Sequence, residues 1–499
     1  MLSYARERLA EISSTNIWRF VLVYVGVMLS IRVFSPVGYL LAMMALLLAM
    51  RGQATVSFYS LLIVPCLNIM NPLLFHSDAN YVFASKILML LLAGILIQQA
   101  SAIRERYNVL RPFSWLIGYI ALMLALAPFS LVPIVSALKA ALFLSTIGAL
   151  IAMVSVMLQG QVHPGPVRSA VLAVCCVFIL GSLLALPFPR ISRSMLYLRD
   201  TTTGSDLLND LYGLYNGVTY HSQTLGPLLA LLNAFLLSDY IFNLQRGGKL
   251  HQLLLLGIPV LIYLSSSRTA LLTYLGSIIV TWLFMGRSQR VAIERKRFVH
   301  GLLLAACLLG TVSLLFSTGL RKHAMNFLEK RQKDDSPSSR DGGVFSTIAE
   351  SRLGLVDSQM ESFRRSPVIG NGFQVSENIR EQGIHSLSDI LSSKVEKGVL
   401  PVMILDEGGI IGAMIMIGFV VSAYRTFLKR SCYCFLSTFV AFLLANMGEA
   451  CMFSPSGPGG VFWTICFCAL LLDLHRIRYD QIRSRPMEAM GTQANWTFR

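Results

Sequence analysis

The sequence predicts an all-α fold, a polytopic integral membrane helix bundle. The 499 residues are 55% hydrophobic and 14% charged, and the mean hydropathy of +0.62 lies far above that of soluble globular domains. Fourteen apolar runs are candidates for membrane spans, and we expect twelve to fourteen transmembrane helices. The formal net charge of +16 is explained by basic residues in the short loops between the runs, so nucleic acid is not an expected partner.

The position of each run follows from its length and its low charge. If the N-terminus is cytoplasmic, every strongly basic short loop lies on the cytoplasmic side, which predicts an even number of spans with both termini inside. The outside segments are then those near 71–80, 189–222, 318–400 and 454–459. The runs lie near 17–34, 36–50, 54–70, 81–100, 113–128, 134–158, 169–188, 223–243, 252–265, 269–285, 299–317, 401–424, 433–453 and 460–474.

This pattern divides the chain into four parts. Residues 1–317 carry transmembrane helices with an extracytoplasmic loop near 189–222, and residues 318–400 form one large, partly helical extracytoplasmic loop. Residues 401–474 carry the C-terminal helices, and residues 475–499 form a basic cytoplasmic tail. The nine cysteines lie mostly inside apolar runs without a Cys-x-x-Cys pair, which favours small helix-packing residues over disulfides or metal ligands.

The large loop contains a predicted helix and a turn. An amphipathic helix is expected from about Ser351 to Arg365, because Val356, Met360 and Phe363 share one face. Pro367 ends that helix, and a glycine-rich turn follows up to Phe373. A polar excursion of this length between membrane spans is typically functional, so we expect it to cover the substrate.

Arginines on the outside face are candidates for binding an anion. Arg268 lies between two apolar runs in Ser265-Ser266-Ser267-Arg268-Thr269-Ala270, where the charge rule does not explain it. It either binds an anionic substrate group or extends to the lipid headgroups. Arg352 lies beside the apolar face of the loop helix, and it either binds an anion or is simply solvated. For Lys86, extension to the headgroups is the favoured interpretation.

Carboxylates and histidines near the same face are candidates for a general base. Glu407 is favoured over Asp406, because neighbouring helical residues do not share a face and Gly408-Gly409 allows a close backbone approach; a helix-end salt bridge is the alternative. Glu449 is a second carboxylate near an outer helix end. His221 and His385 are the outside histidines, with ordinary polar contacts as the alternative. The chain has no Asp-x-Asp and no Walker loop, so no metal site, no cofactor and no nucleotide-driven pump is predicted.

Four motifs follow one another along the chain: Ser267-Arg268-Thr269-Ala270, Arg352, Ser366-Pro367-Val368-Ile369-Gly370-Asn371-Gly372-Phe373 and Glu407-Gly408-Gly409-Ile410-Ile411-Gly412. In this order and on the outer side of the membrane, they resemble the O-antigen ligase / Wzy polymerase superfamily of bacterial envelopes. The resemblance covers roughly 210–420, and one departure concerns the histidine that many members have shortly before the Glu-x-Gly-x-x-Gly helix. This chain has Glu396-Lys397-Gly398 there, so Lys397, Glu396 and Glu407 are the alternatives for part of that role.

The resemblance implies glycosyl transfer on the outer face of the bacterial cytoplasmic (inner) membrane. The implied donor is an undecaprenyl-diphosphate-linked glycan and the acceptor another glycan, with membrane lipid and other polysaccharide assembly proteins as further partners. Fixed arginines suit a diphosphate leaving group, so the predicted transfer is metal-independent. A direct attack by the acceptor hydroxyl would invert the anomeric centre. The predicted catalytic residues are Arg268, Arg352 and Glu407, and the predicted substrate-binding residues are His221, Tyr220, Lys397, Gly370 and Gly372.

Two classes of function remain open at this point. The first is a glycan-transferring enzyme, in which we favour an exopolysaccharide or O-antigen polymerase over a ligase. The second is a transporter of polysaccharide or lipid-linked oligosaccharide. Transporters tend to show paired halves with broken helices at the midplane, whereas this chain has one dominant loop and no visible repeat.

Overall fold

The fold is a bundle of packed helices. A computed structural model describes residues 54–71, 90–100, 110–159, 164–188, 215–243, 248–288, 291–315, 356–375 and 398–483, apart from residues 92, 266, 449 and 456. Within these ranges the secondary structure is helical, and strand-like pairing consists of isolated bridge residues, among them the antiparallel pair Met70 and Thr219. The predicted all-α class is therefore confirmed.

Apolar composition determines where the helices form, and each follows one of the predicted runs. Residues 93–100 and 356–365 are also helical, Ala127–Phe129 forms a 3₁₀ turn and Asp239–Asn243 forms a π-helical turn. The longer helices are α1 (Ala54–Asn68), α2 (Phe113–Leu126), α3 (Pro133–Gln159), α4 (Pro164–Ala185), α5 (Ser222–Ser238), α6 (Lys249–Ser265), α7 (Arg268–Arg287), α8 (Ile293–Leu315), α9 (Leu400–Lys429), α10 (Tyr433–Ala445) and α11 (Pro458–Arg483).

Six of these helices are long and apolar enough to cross a membrane, judged by length and composition alone. They are α3, α4, α5 with its π-helical end, α7, α9 and α11, and shorter apolar helices lie at α2, α6 and α10. The chain is thus a multi-pass membrane protein. The total of twelve to fourteen spans stays a prediction, because the runs 17–34 and 36–50 lie outside the described residues.

Helix α11 continues past the predicted end of the last apolar run at residue 474. It extends to Arg483, so its last turns carry polar residues that we had placed in the C-terminal tail. Asp473 and Arg476 form an i,i+3 ion pair of 3.3 Å at this junction. No proline or glycine interrupts the helix there, and the ion pair supports its continuation beyond the apolar segment.

The core of the bundle is built around α5. Every side chain of α5 from Thr224 to Ser238 is buried, which is the pattern of a helix surrounded by other helices. It packs against α6, α7 and α10. Beside it, aromatic rings fill the space between α2, α9, α10 and α11, with Phe113 stacked on Phe467 at 4.7 Å between ring centroids and Phe442 edge-on to Trp463 at 5.0 Å.

Contacts between helix termini define one end of the bundle, which we call the loop end. It comprises the segments 127–132, 215–221, 366–375 and 446–457. Tyr220 N donates to Ile69 O, Leu131 N donates to Asn371 O, and Leu400 N donates to Asn446 O. The opposite end, called the basic end, carries Arg111, Arg168, Lys249, Arg287, Lys429 and Arg476 near the helix termini. Which membrane side each end faces stays a prediction from the charge pattern.

Candidate active site

The site is organised around a break in α9. Gly409 has φ 61° and ψ −161°, a conformation that is essentially restricted to glycine, although the helix continues on both sides of it. A regular helix would join Ile410 N to Asp406 O and Ile411 N to Glu407 O. Because of the break, those two amides and two carbonyls need other partners.

The turn that follows the loop helix supplies all four partners. Asn371 N donates to Asp406 O at 2.8 Å, and Gly372 N donates to Glu407 O at 3.1 Å. In return, Ile410 N donates to Pro367 O at 2.9 Å and Ile411 N donates to Val368 O at 3.3 Å. An unsatisfied backbone group inside a membrane costs several kcal/mol, so the break in α9 and the 366–375 turn require each other.

Glycines make this exchange sterically possible. A Cβ atom at Gly370 would overlap the carbonyl of Glu407, and one at Gly409 would overlap the carbonyl of Val368. Both glycines also have a positive φ, as does Gly372, where a Cβ would overlap Ser130. Gly370 and Gly372, which we predicted as substrate-binding residues, are therefore seen here as positions of backbone contact. A role in binding substrate stays a prediction for both.

The Asn371 side chain ties the loop helix to the broken helix. Its Nδ2 donates to Ser362 O at 2.8 Å and lies 3.0 Å from Ser362 Oγ. The same nitrogen lies 3.1 Å from Asp406 Oδ1. The Asn371 amide therefore joins residues 356–365 to α9. Because Asn371 is buried, losing one of these hydrogen bonds would be costly.

Both carboxylates of the broken helix are buried. Glu407 is 0% exposed and Asp406 is 4% exposed. Asp406 uses its side chain to accept from Asn371, whereas the part of Glu407 that supports the turn is its backbone carbonyl. We had favoured Glu407 over Asp406 as the catalytic carboxylate, and the engagement of the Asp406 side chain by Asn371 is compatible with that choice. The catalytic role of Glu407 stays a prediction.

The beginning of α3 holds the far side of the turn, and sequence reasoning did not select its residues. Ser136 Oγ accepts from Phe373 N at 2.9 Å, and Lys139 Nζ donates to Gln374 O at 3.1 Å. Lys139 is 6% exposed, which is rare for a lysine. The available signal was the pair of polar residues three positions apart in an otherwise apolar run.

Arg268 lies at the start of α7, at the loop end of the bundle. Ser267 caps the helix, since its Oγ accepts from Ala270 N at 3.3 Å. The close contact between α5 and this start depends on Gly226, where a Cβ would come within 2.5 Å of Ser267 Cβ. Arg268 is half-buried, and its Nη2 is shielded from solvent. Such an arginine is held in a restricted orientation, unlike a side chain that extends freely into solvent.

The loop between α10 and α11 approaches the start of α7 and the start of α9. A Cβ on Gly448 would overlap the Thr269 side chain, which follows Arg268. Asn446 O accepts from Leu400 N at 3.0 Å, two turns before Glu407. These contacts bring the α7 and α9 starts to the same loop, which places Arg268 and Glu407 at the same end of the bundle.

Tyr220 and His221 precede α5 at the loop end. His221 is the N-cap of α5, and its Nδ1 accepts from Gln223 N at 3.0 Å. A nitrogen that accepts this bond carries no proton, so the neutral ring has its proton on Nε2. In this arrangement Nδ1 is occupied by the backbone bond and is not available to remove a proton.

Several predicted residues lie outside the described part of the chain. They are Arg352, Lys397, Glu396, His385, Lys86 and Glu449. Downstream of Arg352, residues 356–365 are helical and end at Ser366, before Pro367, with Val356, Met360 and Phe363 partly buried. Among the described residues there is no group of three or more His, Cys, Asp or Glu side chains arranged to hold a metal ion. The prediction of metal-independent chemistry is left untested by that observation.

Comparison with known proteins agrees with the motifs. Residues 252–392 match a family model described as O-antigen ligase, a segment that includes Arg268, Arg352 and the 366–375 turn but ends before Glu407. No curated protein matches the chain. The match favours an enzyme that transfers lipid-linked glycans over a transporter. The predicted resemblance to the O-antigen ligase / Wzy-type superfamily is thereby confirmed for residues 252–392, the segment that the family model matches.

Proposed function

We propose that the protein is a glycan polymerase that joins undecaprenyl-diphosphate-linked oligosaccharide repeats on the outer face of the bacterial cytoplasmic membrane. The observation that carries the proposal is the position of Glu407. It is fully buried at the break in α9, directly beside the turn that the family motif specifies. A buried carboxylate at such a break is held in place by backbone contacts, and intramembrane carboxylates are usually functional.

In this proposal the residues divide the reaction between them. Arg268, with Arg352, binds the diphosphate of the donor, because a guanidinium stays charged and forms paired hydrogen bonds with phosphate oxygens. Glu407 accepts the proton of the acceptor hydroxyl as that oxygen attacks the anomeric carbon. The bond to the diphosphate breaks, the lipid diphosphate leaves with the electron pair, and the configuration inverts. Glu407 and the arginines supply a base and fixed positive charge without a metal.

The substrates of polymerase and ligase differ, and this provides the test. When the protein is removed from cells, a polymerase leaves single lipid-linked repeats, because repeats are made but not joined. Loss of a ligase leaves long lipid-linked chains. Mass analysis of lipid-linked glycans should therefore show single repeats, and long chains would overturn the polymerase proposal.

A ligase is the second candidate, because the matching family model is described as O-antigen ligase. The same arginines and the same carboxylate would serve a ligase, since both reactions release a lipid diphosphate. The Arg268→Lys variant tests the part that the two share. Lysine keeps the charge but loses the paired hydrogen bonds, so we expect most transfer to be lost at normal membrane abundance. Wild-type transfer would remove Arg268 from the site.

A further inference from the structure

A tyrosine beside the break in α9 has a buried hydroxyl that forms no hydrogen bond with the described residues. Tyr119 in α2 is 0% exposed. Within the part of the chain that the structure describes, its hydroxyl has no hydrogen-bond partner. Buried polar groups in folded proteins are nearly always paired, so a hydroxyl left in this condition calls for a functional explanation.

The ring of Tyr119 is held in place by its neighbours. It lies against Gly408 and Gly412, and Cβ atoms at these positions would come within 3.3 and 3.1 Å of Tyr119 Cε2. The two glycines lie on either side of the break at Gly409, and both leave space for the Tyr119 ring. On another side, Phe453 stacks on the ring with 5.5 Å between centroids and 19° between planes. Gly408 and Gly412 therefore leave the space that the Tyr119 ring occupies.

The groups close to this hydroxyl belong to the candidate site. The carboxylates of Glu407 and, to a lesser extent, Asp406 on α9 lie near enough to interact electrostatically with the Tyr119 hydroxyl. From α3, Lys139 Nζ donates to Gln374 O in the adjoining turn. Asp406 already accepts from Asn371. Of the two carboxylates, Glu407 interacts more strongly with the Tyr119 hydroxyl, so it is the one that this hydroxyl is best placed to serve.

We propose that Tyr119 is a positioning residue for Glu407. In the substrate-bound site its hydroxyl donates a hydrogen bond to the Glu407 carboxylate, which fixes the carboxylate toward the acceptor hydroxyl. This inference rests on the proposed function, in which Glu407 is the base. It goes beyond the family motifs, because Tyr119 lies outside the matched segment 252–392. Positioning of this kind acts on the rate of the chemical step more than on substrate binding.

The Tyr119→Phe variant tests the inference cleanly, since it removes one oxygen and keeps the ring. If Tyr119 serves packing alone, deleting an unpaired buried hydroxyl leaves kcat unchanged and stability equal or higher. If it positions Glu407, we expect kcat to fall by about 10- to 100-fold while KM for the donor changes by less than about 3-fold. The midpoint of thermal unfolding should not fall. Wild-type kcat in Tyr119→Phe overturns the inference.

Tyr433→Phe is the matched control. Tyr433 is a buried tyrosine at the basic end of the bundle, where it stacks on Phe284 at 5.5 Å. We expect wild-type kcat from this variant, because it makes the same chemical change far from the loop end. An equal loss in both variants would show that the effect is a general consequence of deleting a buried hydroxyl and would overturn the inference.

A double-mutant cycle with Glu407→Gln separates this inference from the proposed function. If Tyr119 acts through Glu407, adding Tyr119→Phe to Glu407→Gln lowers kcat by less than about 3-fold. A further loss as large as in the single variant overturns the inference. Wild-type turnover in Glu407→Gln overturns both proposals. An inactive Glu407→Gln together with a fully active Tyr119→Phe overturns this inference alone.

Discussion

Two helices of the bundle depart from regular geometry, and the protein supports these departures in different ways. At the loop end, α9 breaks at Gly409 and its backbone groups bond to the backbone of the 366–375 turn. At the basic end, α5 ends in the π-helical turn Asp239–Asn243, and side chains from other helices support it. Irregular helical turns are frequent at functional positions. The two differ in that backbone bonds hold the α9 break, whereas side chains hold the π-helical turn.

The basic-end turn is supported by charge. Arg168 Nε and Nη2 bind the two oxygens of Asp239 at 2.8 and 3.1 Å, and His251 Nε2 lies 3.2 Å from Asp239 Oδ2. Arg295 Nη1 donates to Ile241 O at 3.3 Å and its guanidinium lies over the Tyr240 ring. The Asp239 carboxylate is committed to these contacts, which join α4, α5 and α6.

The two ends differ in what their buried carboxylate side chains do. In α9 the backbone exchange holds the break, and the Glu407 side chain takes no part in that exchange. In α5 the carboxylate itself holds the irregular turn together. Under the proposed function, the loop end serves catalysis, whereas the contacts at the basic end serve stability. Variants at the two ends should then affect turnover and stability separately.

The largest effect is expected from Arg168→Leu. This change leaves Asp239 buried at 0% side-chain exposure without its paired guanidinium. Breaking a buried ion pair by removing one partner costs about 3–5 kcal/mol, so we expect a strong fall in the unfolding midpoint and in membrane abundance. Turnover per folded molecule should stay within about 3-fold of wild type, as measured by transfer assays normalised to folded protein.

The control for Arg168→Leu is Arg287→Leu, which removes an exposed arginine at the same end of the bundle. We expect that control to change stability by less than about 0.5 kcal/mol. A loss of turnover in Arg168→Leu without a loss of stability would reverse the assignment of the two ends.

The next largest effect is expected from Gly409→Ala. Alanine rarely adopts the φ of Gly409, and its Cβ would overlap the Val368 carbonyl, which cannot move aside because it accepts from Ile411 N. Such backbone strain costs about 1–3 kcal/mol. We also expect turnover to fall by about 100-fold, because the turn and Glu407 lose their alignment; this corresponds to about 2.7 kcal/mol in the barrier.

Gly286→Ala is the matched control for Gly409→Ala, since a Cβ at Gly286 meets open space. Steady-state transfer and thermal unfolding should both remain close to wild type in this control. Wild-type turnover in Gly409→Ala would mean that the break in α9 is not part of the site.

The helices were predictable from the sequence, because twenty apolar residues in a row permit few structures in a membrane. The run predicted at 401–424, for example, became Leu400–Lys429. Glu407, Gly370 and Gly372 were also selected beforehand, since a carboxylate and glycine pairs stand out in apolar or polar runs. The apolar run predicted at 460–474 lies inside α11, whose polar last turns continue to Arg483.

The pairing between these elements was not predictable. The bonds between α9 and the turn join backbone atoms more than thirty residues apart, as from Asn371 N to Asp406 O. Every residue has the same backbone atoms, so the sequence does not show which of them form these bonds. It shows only the glycines that the close backbone approach requires. Arg168 illustrates the same limit: the charge rule accounted for it as a loop residue, and its contact with Asp239, 71 residues away, emerged from the fold.

A smaller effect is expected from Asn371→Asp, which tests whether the side chain at the turn adds to the backbone exchange. The variant loses the donor to Ser362 O and brings a second carboxylate against Asp406. We expect turnover to fall by about 10- to 30-fold, equivalent to roughly 1.4–2 kcal/mol. Kinetic constants at constant membrane abundance would measure it.

The exchanged pair Asn371→Asp with Asp406→Asn sharpens the test. It restores an amide and a carboxylate in reversed positions, so part of the lost turnover should return, while the bond to Ser362 O stays lost. No recovery in the double variant would mean that the contact between residues 371 and 406 is incidental to turnover.

The smallest effect is expected at His221, which supports α5 through a side chain although it lies at the loop end. His221 Nδ1 accepts from Gln223 N, so His221→Ala removes a helix cap and should cost about 1 kcal/mol of stability. His221→Asn keeps a capping oxygen and should unfold at the wild-type temperature. If Nε2 donates to the substrate, His221→Asn raises KM a few-fold and leaves kcat unchanged, as steady-state kinetics would show. A fall in kcat of about 100-fold in His221→Asn would instead identify His221 as the base and take that role from Glu407.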